Sequence, residues 1–255
     1  MFIDNLALTE VFLLLAAAVL TWTGVAAWWW MRKNEPEKVK TAIRGGAIPI
    51  GGVGISAMIL GLWSEMTWPY PAAMGGYNIF FNDMTLLFGM VMICFAVSAY
   101  LGLQLHYVGL FAFMAGAVVL LYGWTGYGFG YTKDPLDTLL LYGGFGVAGV
   151  FALPATAVLD YYLGTVAKSP TIWRTDSPSS FGRRALGVRA VGKIAASPSE
   201  TPTEEGTLAQ LKYRMPTYIN LLLLLFPVFM TLAGIAAWWY LGTTIPGHLT
   251  PGKTP

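Results

Sequence analysis

The sequence predicts an all-α integral membrane protein: a bundle of six transmembrane helices with both termini outside. Three observations carry that prediction. Only 11% of the 255 residues are charged, against about 25% in a soluble domain. Uncharged runs long enough to cross a bilayer recur along the chain. Thirteen of the 15 Lys and Arg fall in loops that an outside N-terminus puts on the inner side, as the positive-inside rule requires.

The first span, about 11–31, carries no charge and ends in Trp28-Trp29-Trp30-Met31-Arg32-Lys33, an aromatic belt followed by cations. It follows Asp4 and Glu10 rather than a basic start, so it reads as a spanning helix and not as a cleaved signal. A basic loop holds Arg32, Lys33, Lys38, Lys40 and Arg44. The second span, about 45–63, is rich in Gly and Ala, which lets backbones approach closely and points to the bundle interior. Pro49 either kinks it or marks its first turn.

The outer loop Glu65–Asp83 contains Trp68, Pro69, Tyr70, Pro71, Gly75 and Gly76, which forbid a continuous helix. The 49 residues after it, 84–132, lack Asp, Glu, Lys and Arg. That is a hairpin of two spans, about 84–103 and 108–124, broken near Gln104–Tyr107. A glycine- and aromatic-rich loop leads to the fifth span, about 138–159, with Pro154 near its inner end and Asp160 after it. The bundle of the first five helices thus occupies 1–163. Residues 164–214 form a polar cytoplasmic loop whose stretch 197–206 has the composition of disorder. The sixth span is 215–241, and 242–255 reads as an extended extracytoplasmic tail.

The run Thr67-Trp68-Pro69-Tyr70-Pro71, then Tyr77-Asn78-Ile79, then Asp83 just before a span, resembles the outer-loop motif of a family of uncharacterised prokaryotic integral membrane proteins, mostly archaeal. The resemblance covers the second to fifth spans. It implies a polytopic membrane fold and carries no activity with it.

The residues exclude several chemistries. A lone cysteine, Cys94, builds no disulfide, zinc site or iron–sulfur cluster. The two histidines, His106 and His248, fall on opposite sides of the membrane, so one copy cannot hold a bis-His haem. Met90 and Cys94 share a helix face and are soft ligands, but no His joins them, and methionine is ordinary packing material. The spans are nearly free of ionisable groups. Asp83 is expected as a helix cap at an N-terminus, and Asp160 as an interfacial partner of Lys168 or Arg214. No catalytic motif, intrinsic cofactor, metal site or nucleic-acid signature is found. Bound lipids are expected.

Two sets of residues stand out as contact candidates. Trp68, Pro69, Pro71, Tyr77, Asn78 and Asp83 make an outer lid or docking surface. Arg183, Arg184, Arg189 and Lys193 form a basic patch for lipid headgroups or a partner. The function these readings favour is a non-catalytic accessory subunit of a larger complex in the cell membrane, respiratory or oxygenase, partnered by other membrane subunits and the bilayer. The alternative is a stand-alone transporter, channel or small-molecule or lipid binder with a site under the 65–83 loop.

Overall fold

The computed structural model describes residues 5–69, 78–130, 132, 134–167 and 217–249. The described residues form six α-helices and no strand: α1 (Asn5–Arg32), α2 (Pro36–Thr67), α3 (Asp83–Leu101), α4 (His106–Phe129), α5 (Pro135–Ala167) and α6 (Thr217–Leu249). One turn of wider π winding, Asn78–Asn82, leads into α3. Each helix carries a stretch long and apolar enough to cross a bilayer, so the chain is a multi-pass membrane protein.

Most of the helices outrun their uncharged cores. An uncharged run marks the part of a helix that needs lipid, whereas the backbone ladder continues wherever side chains allow it. α2 absorbs most of the expected 32–44 loop. Pro36 stands in its first turn, where no N–H is needed, and the pairs Glu35–Lys38 and Glu37–Lys40 hold the charged stretch across single turns. The link from α1 shrinks to residues 33–35, turned by Asn34 at φ 56°. Pro49 therefore lies well inside α2 and not at its first turn. α5 takes residues 164–167 from the expected cytoplasmic loop, and α6 continues to Leu249, so residues 242–249 are helical rather than an extended tail.

The helices stand in a ring. α1 packs on α2 and α6, α2 on α3, α4 on α5, and α5 on α6, while α3 and α4 touch far less and leave a thin seam. Glycines set the closest crossings. A Cβ on Gly89 of α3 would come within 2.6 Å of the Met58 backbone nitrogen on α2, and one on Gly61 of α2 within 2.7 Å of the Leu86 nitrogen. On the other side, a Cβ on Gly149 of α5 would meet the Ala112 carbonyl of α4 at 2.8 Å. Small residues thus serve backbone-to-backbone contact. The expectation that α2 lies in the bundle interior is corrected: it is one stave of the ring, with Ile48, Ile55 and Ile59 facing outward.

The bundle has a basic end, around Arg32–Arg44 and His106, and an acidic end, around Glu10, Glu65, Asp83 and Asp134.

Candidate functional site: an apolar cavity between two polar ends

The acidic end is built around the π turn. Its Phe80 ring stacks on Tyr142 of α5 at 4.6 Å, and the Tyr142 hydroxyl donates to the Phe80 carbonyl at 2.7 Å. Beside it the Tyr122 hydroxyl of α4 donates to Asp83 Oδ2 at 3.0 Å, and the Glu65 carboxyl of α2 lies next to Asp83. Thr9 and Thr85 hydroxyls meet at 3.3 Å across α1 and α3. Glu10 is 1% exposed. It shares a face of α1 with Leu6, Leu13 and Leu14, which pack against Phe80, Tyr142 and Tyr240.

The residues singled out in the outer loop separate here. Trp68 ends α2 in the left-handed region at φ 47°, its N–H bonded to the Ser64 carbonyl, and its ring is exposed. Pro69 follows, half-buried. Asn78 is fully buried in the π turn and faces the bundle. Asp83 does sit in the first turn of α3, but the preceding residue Asn82 makes no side-chain cap bond. The π turn feeds α3 continuously, so the Asp83 carboxylate is directed at Tyr122 instead of at free N–H groups. Pro71 and Tyr77 lie outside the described residues, as do Arg183, Arg184, Arg189 and Lys193. Glu10 and Glu65, which the uncharged runs leave outside the spans, belong to α1 and α2. The spacing of Glu10 from Leu6, Leu13 and Leu14 is the helical signal, masked because the uncharged run begins one residue later, at Val11.

At the basic end Asp160 of α5 closes the N-terminus of α4. It accepts from the Leu105 N–H at 3.0 Å, the His106 N–H at 2.7 Å and His106 Nδ1 at 2.8 Å. The carboxylate thereby satisfies two helix-end N–H groups, takes the His106 ring as a third partner, and meets the positive end of the helix dipole. Lys168 and Arg214, the partners expected for Asp160, lie outside the described residues.

Between the ends the ring holds a cavity of about 130 Å³, lined by residues of all six helices. Leu87, Phe95, Ala112, Ala115, Phe145 and Met230 give its character. Its two hydroxyls are turned to their own helices: Thr23 donates to the Val19 carbonyl and Thr156 to the Ala152 carbonyl, each at 2.8 Å. The wall is therefore apolar, and a space of this kind stays dry and takes apolar guests; about 150 Å³ accommodates benzene. The helices of the α3–α4 seam both border it, Val91 and Phe95 lining it from α3 and Val108 and Ala115 from α4. None of Trp68, Asn78 or Asp83 lines the cavity. Met90 and Cys94 are exposed on the outer face of α3. Among the described residues no three His, Cys, Asp or Glu side chains come together as a metal cage.

A family model described as a protein of unknown function, DUF981, matches residues 1–168, which takes in α1 to α5. No curated protein and no solved structure matches the chain.

Proposed function

We propose that this chain, which belongs to the DUF981 family of proteins of unknown function, is a membrane-embedded binder of an apolar small molecule or of a section of a lipid or isoprenoid chain. The observation that carries this reading is the cavity, apolar on every side and bordered by the thin α3–α4 seam. An apolar guest enters such a space without leaving any polar group unpaired. The seam gives it a route from the bilayer. Ion or polar-solute passage fits this wall poorly, since its hydroxyls are already bonded to backbone. The proposed site lies deeper than the 65–83 loop. We place the protein in the cell membrane with its basic end in the cytoplasm, following the distribution of Lys and Arg.

The test is to extract the purified protein with organic solvent and identify what is released by mass spectrometry. An apolar compound stoichiometric with the chain, and lost in Ala115→Leu, supports the proposal. Equal amounts from both proteins, or none from either, overturns it.

A second reading rests on Gly52 of α2 and Gly143 of α5. An added Cβ meets nothing within 4 Å at either position, and small outward-facing residues are the composition of helix–helix interfaces in membranes. Under it the chain is an accessory subunit of a larger assembly, respiratory or oxygenase. Blue-native electrophoresis of mildly solubilised membranes tests it. Migration at the size of the chain alone in its lipid–detergent belt counts against it.

A further inference from the structure

We infer that the outward groove between α1 and α2 seats one anionic phospholipid, with its headgroup at Lys33 and Lys38 and one chain lying along Gly45 to Pro49. The site is separate from the central cavity and does not depend on the reading given for it.

The groove has a volume of about 810 Å³. One wall is a stripe of α1 at every fourth residue, Ala18, Trp22, Ala26 and Trp30; the other is Lys38, Thr41, Ala42, Gly45 and Pro49 of α2. Its floor is Gly46 packed on Thr23. Thr23 also lines the central cavity, so one side chain separates the two spaces.

Three features choose the occupant. First, the groove changes character along its length. Its mouth at the basic end is cationic, and the rest is apolar. Lys38 stands 4.4 Å over the Trp30 ring and is paired with Glu35, while Lys33 sits over Trp29 and Trp30 at 4.6 and 5.1 Å. Arg32 lies over Trp28 at 5.1 Å. Among the described residues Arg32 and Lys33 meet these rings rather than carboxylates, which leaves their charge for an anion at the headgroup level. Second, the groove is short. The rise from Lys38 to Pro49 is about 16 Å, half of a roughly 30 Å hydrocarbon core. A transmembrane helix of a partner would need the full thickness, whereas one lipid leaflet needs half. Third, Trp22 is 76% exposed and lies about 15 Å along α1 from Arg32, well inside the core and away from the interfacial belts that tryptophan prefers. A chain lying in the groove gives its ring a fixed neighbour.

The test uses the full chain in detergent, titrated with palmitoyl-oleoyl phosphatidylglycerol or with the phosphatidylcholine of the same chains, and read by native mass spectrometry. One phosphatidylglycerol per chain is expected to persist at collision energies that strip phosphatidylcholine. Gly45→Leu should abolish it. An added Cβ there meets nothing within 4 Å, so the substitution fills the groove without disturbing the helix pair. Lys33→Gln should weaken retention about fivefold, the factor for one basic contact at a membrane surface. Gly52→Leu, equally open but away from the groove, should leave it unchanged. Equal retention of the two lipids overturns the inference, as does full retention in Gly45→Leu. A dimer that Gly45→Leu splits also overturns it, since the groove would then hold a second copy of the chain. Lys33 is exposed, so Lys33→Gln keeps the test decisive if Gly45→Leu does not fold, and full retention in it overturns the inference.

Discussion

Asp160 of α5 holds His106 of α4 by two contacts at once, one to the backbone N–H at 2.7 Å and one to ring Nδ1 at 2.8 Å. The same carboxylate takes the Leu105 N–H. One acid thereby joins the turn between α3 and α4 to the far helix of the hairpin that follows, at the basic end of the bundle.

Removing that acid should loosen this end of the ring. Asp160→Ala is expected to cost about 1–2 kcal/mol, the range for a lost helix cap. Asp160→Asn should cost less, because an amide oxygen still accepts one N–H. His106→Ala should cost least, since both backbone bonds survive. Fluorescence-detected thermal unfolding in detergent orders the three. Equal loss in all three would mean that the ring contact, and not the backbone cap, carries the effect.

The α2–α3 crossing should be intolerant where its glycines meet backbone. Gly89→Val would drive a side chain into the Met58 backbone and should abolish the folded monomer on size exclusion. Gly52→Ala, on the same α2 but facing open space, should be neutral or raise stability by about 0.5–1 kcal/mol, the helical gain of alanine over glycine.

Trp68 holds a left-handed backbone at φ 47°, a conformation that costs an L-residue about 1–2 kcal/mol. Glycine occupies that position in most helix ends of this type. Trp68→Gly should therefore raise the unfolding temperature slightly, in contrast to the loosening expected if the exposed ring anchored the fold. A lower unfolding temperature would show that its ring contacts outweigh the strain.

Cys94 gives a direct check on the membrane placement. It faces outward on α3, near the middle of a span. A charged maleimide should fail to label it in sealed or lysed vesicles, because the reactive thiolate needs water. Labelling should appear after denaturation in detergent. Rapid labelling in intact vesicles would place this face of α3 against water.

The membrane class, the six spans and their order were legible in the sequence. Each depends on local composition: uncharged runs such as 11–31 and 84–103, separated by charges or breakers, stay apolar whatever their neighbours do. The basic bias of residues 32–44 was equally local. The tertiary structure alone decided what faces inward. In lipid the two sides of a spanning helix are both apolar, so hydropathy does not mark the packed face. Hence Gly61, Gly89 and Gly149 are recognisable as crossing points, and the cavity as a cavity, only once the ring is assembled. The same reason hid Glu10, whose burial depends on α3, α5 and α6 meeting α1 at the acidic end. It also hid the pairing of Asp160 with His106, 54 residues away, because nothing local to either residue specifies the other. The ends of the helices escaped the sequence for a different reason. Hydropathy reports where a helix lies in lipid, while capping, prolines at first turns and ion pairs one turn apart decide where its hydrogen-bond ladder stops.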